Sequence, residues 1–135
     1  MVIKDFLKSG YPSAVLASLL DSTAEGINKE LGEITDEVAL SEATTSAIEG
    51  AIASLRAYGA EARKRWEDVQ RVILSVENPL HRDILAMRYL KHLTDPEVQR
   101  GLSGAGVPYC IRSIRRFSSV ALAEAEKVWR SVCDE

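Results

Sequence analysis

Residues 93–117 read "LTDPEVQRGLSGAGVPYCIRSIRRF" and hold two helix starts, a glycine-rich turn and four arginines, with no acid after Glu97. Thr94 and Glu97 have the spacing of a capping box: the hydroxyl serves the Glu97 amide and the carboxylate reaches back to the Thr94 amide. Pro96 fits a first turn, where amides lack intrahelical partners. Gly101, Gly104 and Gly106 predict that this helix stops within about two turns, with Val98 and Leu102 facing inward. A second helix is predicted to start near Pro108. On it Ile111, Ile114 and Ser118 form an inner stripe that Ala121, Ala125, Val128 and Val132 extend. At about 100° per residue, Tyr109, Arg112, Ser113 and Arg116 face the opposite way, with Arg115 on the flank. The pattern predicts a helix-turn-helix whose second helix shows cations outward, the placement that major-groove readout requires. The arginine fork matches guanine edges and phosphate oxygens. A solvated surface face is the competing reading of the same pattern.

Upstream, Asn78-Pro79 marks a helix boundary, with Asn78 as cap and Pro79 in the first turn. The following "LHRDILAMRYLKHL" supplies Leu80, Ile84, Met87 and Leu90 or Leu93 as a buried stripe. Further upstream the apolar residues recur every three or four positions, and no period-two strand is evident, so the chain is predicted to be all-α. Ser9-Gly10-Tyr11-Pro12 separates a short first helix from a second. That second helix carries a heptad seam at Leu20, Ala24, Ile27, Leu31, Ile34 and Val38. Glu30, Glu33 and Glu37 form an acidic stripe outside it, read as solvated. "LSEATTS", residues 40–46, is the expected break. A longer seam follows at Ile48, Ile52, Leu55, Gly59, Ala62, Trp66, Val69, Ile73, Val76 and Leu80. The two seams can pair within one chain as an antiparallel hairpin or between chains. Residues 1–78 are therefore expected to be a coiled-coil-like helical arm, and 79–135 a helix-turn-helix domain ending in a long C-terminal helix.

The chain has 135 residues, 17 basic and 20 acidic, for a net charge of −3. The balance is uneven: residues 1–78 hold 8 basic and 13 acidic groups, residues 79–135 hold 9 and 7. A basic module beside an acidic arm points to an anionic partner such as nucleic acid, though the excess is small. Cys110 and Cys133 lack CxxC spacing and are expected to be reduced thiols in a cytoplasmic protein. No signal peptide and no membrane-length apolar run is expected. His81 and His92 are too far apart for an i,i+4 metal pair, and both read as surface or boundary residues, so no metal and no cofactor is expected. "GLSGAG" follows a helix rather than a strand and reads as a turn, not a phosphate cradle. Cys110 beside arginines and a helix start suits a lowered thiol pKa, although a small, partly buried side chain is the plainer expectation. Trp66 and Trp129 read as packing residues. No nucleophile-base set is evident, so no enzyme is expected.

"RDILAMRYLKHLTDPEVQRGL", followed by "IRSIRR", resembles the C-terminal region of Gram-positive phage late-transcription regulators of the RinA and ArpU type. Their helix-turn-helix is similar to region four of sigma factors. The elements carrying the resemblance are the "ILxxRYL" helix at 84–90, the capped "T-x-x-E-V" helix at 94–98 and the helix after it. "IKDFLKSGY" near the N-terminus resembles the same proteins more loosely. The resemblance covers about residues 79–130. It implies a sequence-specific, DNA-binding transcriptional regulator. Tyr109, Arg112, Ser113 and Arg116 would then face bases, and Arg115 with Arg100 phosphates. It also implies double-stranded DNA as partner, and contact with RNA polymerase if the protein activates; a homodimer through the arm is expected because two weak modules joined by a coiled arm bind a paired site far better than one. Two features depart from the pattern: "SGAGVPYC" is about two residues longer than the usual tight turn, and Gln99 stands where such motifs place alanine. A small terminase subunit and a coiled-coil structural adaptor are the alternatives.

Overall fold

The computed structural model describes residues 2–37, 39–106 and 108–133, the side chains of Asp36, Glu37 and Cys133 excepted. Among these residues there is no strand, and the fold is all-α. The helices are α1 (Ile3–Lys8), α2 (Gly10–Glu37), α3 (Glu42–Leu74), α4 (Pro79–Leu85), α5 (Asp95–Gly104) and α6 (Ile111–Cys133), with a π-helical turn over Ala86–Leu90 continuing α4. Two compact units are present, Pro12–Arg65 and Met1–Tyr11 with Trp66–Glu135. They part within α2 and α3, not at the expected 78/79 boundary. The reason lies in packing: α1 and the last turns of α3 bury their apolar faces in the second unit.

In the Pro12–Arg65 unit, Ala24, Leu31, Ile52 and Ala62 are buried, each at an expected seam position. Gly59 lies against Leu20 and Asp21, and Arg63 forms an ion pair with Asp21, so these parts of α2 and α3 meet within one chain. Ile34, expected on the seam, is exposed. Val38 lies outside the described residues. Ser41 accepts from the Thr44 amide at 3.1 Å and caps α3, which places the break where serine and threonine favour it.

The other unit has two apolar clusters. Phe6, Leu7, Val69, Val72, Ile73, Val76, Leu85 and Tyr89 make up most of the larger, with Ala121 and Ala125 from α6. Trp129 stacks on Phe6, with centroids 4.8 Å apart, which settles it as a packing residue. A Cβ at Gly10 would stand 2.8 Å from Val69 Cγ1, so the chain break before α2 needs glycine for the close approach, not only for a turn. The long seam outruns its helix: α3 ends at Leu74, and Val76 is buried from the connection to α4 instead. Asn78 Oδ1 accepts from the Leu80 and His81 amides at 3.0 and 3.3 Å, and Pro79 occupies the first turn, as its fixed φ suits.

The π turn changes which residues face inward. Lys91 N donates to Ala86 O at 3.0 Å, inserting an extra residue into the turn. Tyr89, inside the turn, is buried with Leu85 in the larger cluster and Ile84 is buried in the smaller one, whereas Leu80, Met87, Leu90 and Leu93 are only half-buried. His81 is not a surface histidine. It is buried, its Nδ1 lies 2.9 Å from Glu124 Oε1, and its ring faces Phe117.

Candidate nucleic-acid interface

The capping box of α5 forms as its spacing implies. Glu97 Oε1 accepts from the Thr94 hydroxyl at 2.8 Å and from its amide at 3.1 Å. The Thr94 hydroxyl first and its amide second hold the Glu97 carboxyl below the usual range. The helix runs ten residues, longer than the glycines suggested, because Gly101 is accommodated inside it. Gly106, at φ 84°, takes the left-handed turn that ends the segment.

Helix α6 does not start at Pro108. Residues 108–110 are not helical, and α6 begins at Ile111, with Cys110 at its cap and Ile114 N donating to Cys110 O at 3.0 Å. This late start relocates Tyr109. Its ring meets Phe117 edge-on at 5.0 Å and packs against the cluster of Ile84, Val98, Leu102 and Ile114. It therefore does not stand on the outward face with the arginines. The lengthened turn is anchored by Gln99, whose Nε2 donates to Tyr109 O at 3.2 Å.

Of the remaining predicted residues, Arg112, Ser113, Arg115 and Arg116 lie on the first two turns of α6. Ile114 and Ser118 are buried, while Arg112, Arg115 and Arg116 are exposed on the first two turns. Arg112 has no ion-pair partner among the described residues. Arg116 lies over the Phe117 ring, 5.5 Å from its centroid, which steers the guanidinium by its apolar stem and π face. Arg115 Nε donates to Asp95 Oδ2 at 2.9 Å, while Arg88 binds Oδ1 of the same carboxylate. Ser113 is half-buried, and its hydroxyl lies 3.3 Å from Cys110 Sγ. Arg100 is exposed on α5, near the Glu97 charge.

Cys110 is exposed, against the expectation of a partly buried thiol. Hydrogen bonds from the Ser113 hydroxyl and amide, with the Arg112 amide adding less, lower its pKa. Its sulfur takes the place of a capping oxygen at the start of α6.

Residues that sequence reasoning passed over include Arg88 and Asp95, which connect the π turn to α6. Their signal was weak: an acid at the first position of a capped helix looks like an ordinary dipole partner. No helix among the described residues is long and apolar enough to cross a membrane, and no three His, Cys, Asp or Glu among them gather as a metal site. Comparisons with family models, with curated proteins and with solved structures find no match.

Proposed function

We propose that the protein is a sequence-specific DNA-binding transcriptional regulator of the phage type that the sequence resembles, inserting the first turns of α6 into the major groove. One observation carries this reading: Arg112 and Arg116 are exposed on the side of α6 opposite buried Ile114 and Ser118, with exposed Arg115 on the flank. Long guanidinium groups on a rigid, anchored helix reach base edges and phosphates with little ordering cost. Arg112 and Arg116 take the base-facing roles, Arg115 and Arg100 the phosphate-facing ones. Ser113 sits between them at the helix start, while Tyr109 acts from below by packing on Phe117.

The test is a salt titration of duplex binding. Arg112→Ala and Arg116→Ala should weaken binding, and the salt slope should fall by about 1 for every phosphate interaction that a substitution removes. Binding equal to the parent's would remove α6 as the recognition element.

A homodimer suits this function, since two linked modules engage a paired site far more strongly than one. Support comes from Val15, Leu16 and Leu19, which are apolar and exposed on α2. Such a surface also suits the small terminase subunit, the rival reading, and mass measurement separates them: a ring of many subunits favours the terminase. Activation would further require a contact with RNA polymerase.

A further inference from the structure

On α1, Ile3, Phe6 and Leu7 are buried, which leaves Lys4 and Lys8 on the outward side, one turn apart. Both line a cavity of 550 Å³, whose wall Tyr11, Arg88, His92 and Asp95 share. That volume is in the range of small-ligand sites. Cations dominate the cavity. Lys4, Lys8 and Arg88 line it with one acid, Asp95, whose two oxygens are already engaged by Arg88 and Arg115. The nearby Glu97 carboxylate, close enough to interact with His92, is held by Thr94. Neither lysine has an acid partner among the described residues. Arg88 Nε is buried and has no hydrogen-bond acceptor, while Arg88 Nη2 binds Asp95.

The backbone around the cavity is unusual as well. Arg88 lies in the π turn, and His92 adopts φ 56°, a left-handed conformation for a non-glycine residue. The His92 ring stacks on Tyr11, with centroids 4.8 Å apart, and closes one side. Asp95 joins this cavity to the α6 face, because Arg88 and Arg115 bind opposite oxygens of one carboxylate. The cations of the cavity and those of α6 are therefore linked through a single neutralised acid.

We propose that Lys4, Lys8 and Arg88 form a second phosphate-binding edge, which holds the DNA backbone beside the groove that α6 occupies. This inference rests on the function proposed above. It adds a role for α1, which would position α6 by gripping phosphate rather than by reading bases.

The experiment measures binding of a mixed-sequence duplex about two helical turns long across a salt series. It compares the parent, Lys4→Gln/Lys8→Gln, Arg112→Ala/Arg116→Ala, and a Lys29→Gln/Lys64→Gln control from the other unit. The expected result for Lys4→Gln/Lys8→Gln is weaker binding with a salt slope lower by about 2, an unchanged melting temperature, and no change in the control. If Arg112→Ala/Arg116→Ala lose binding while the Lys4/Lys8 variant keeps the parent slope, the second edge is overturned and the α6 assignment stands. If the parent binds no duplex, both fall. A free nucleotide is the other source of phosphate. Should adenosine monophosphate raise the melting temperature of the parent and not of the Lys4/Lys8 variant, with equal duplex slopes, the backbone assignment is overturned.

Discussion

The Gln99 carboxamide donates to the main-chain carbonyl of Tyr109 at 3.2 Å, tying the end of the long turn back to α5. Tyr109 then reaches Phe117, so one hydrogen bond and one ring contact fix the approach of α6. Gln99→Ala should cost about 1 kcal/mol, the net value of such a bond. Amide exchange at Ile114, whose N–H donates to Cys110 O at the start of α6, should accelerate beyond what that drop in global stability explains. Equal acceleration everywhere would mean that the tether does not control the turn.

Two glycine substitutions should have opposite signs. Gly10→Ala places a methyl 2.8 Å from Val69 Cγ1, and overpacking of this kind costs about 1–3 kcal/mol. Gly50 lies within α3 with nothing near the position of a Cβ, so Gly50→Ala should stabilise by about 0.5–1 kcal/mol. Chemical denaturation of the two variants checks both. A neutral Gly10→Ala would contradict the close approach between the start of α2 and α3.

Acid should weaken the start of α5. The Glu97 carboxyl is lowered below its ordinary 4.5, chiefly by the Thr94 hydroxyl and then by the Thr94 amide. Its contribution is therefore present above that ordinary value and is lost as pH falls through the lower folded value. Thr94→Ala removes the hydroxyl, the larger cause, and leaves the amide, so its melting temperature should fall less than the parent's over that acid range. Parallel pH profiles would show that the cap carries no proton linkage.

Cys110 should alkylate faster at neutral pH than an unperturbed thiol, because its exposed sulfur is stabilised as thiolate by the Ser113 hydroxyl and amide. Ser113→Ala should slow that reaction, as followed by peptide mapping at Cys110. No change on removing the hydroxyl would assign the shift to the helix start alone.

Local chemistry made the helix boundaries readable. Pro12, Ser41, Asn78 and Thr94 each carry a capping or first-turn signal that needs no tertiary information, and the structure uses all four. Spacing also identified the inner stripe of α6 through Ile114, Ala121 and Ala125, because a continuous helix preserves periodicity. Periodicity failed where the backbone left the α-helix. The π turn moved Tyr89 inward, and the non-helical segment before Ile111 took Tyr109 off the arginine face. Long-range partners were equally hidden. Nothing adjacent to His81 announces Glu124, 43 residues later, as its hydrogen-bond partner.

The central claim is that the α6 arginines read a DNA sequence, and selection of duplexes from a random pool tests it most directly. The parent should enrich one defined motif, and Arg112→Ala/Arg116→Ala should lose that motif while keeping the parent fold by circular dichroism. A pool that remains random after selection by the parent, or the same motif enriched by the variant, would contradict it.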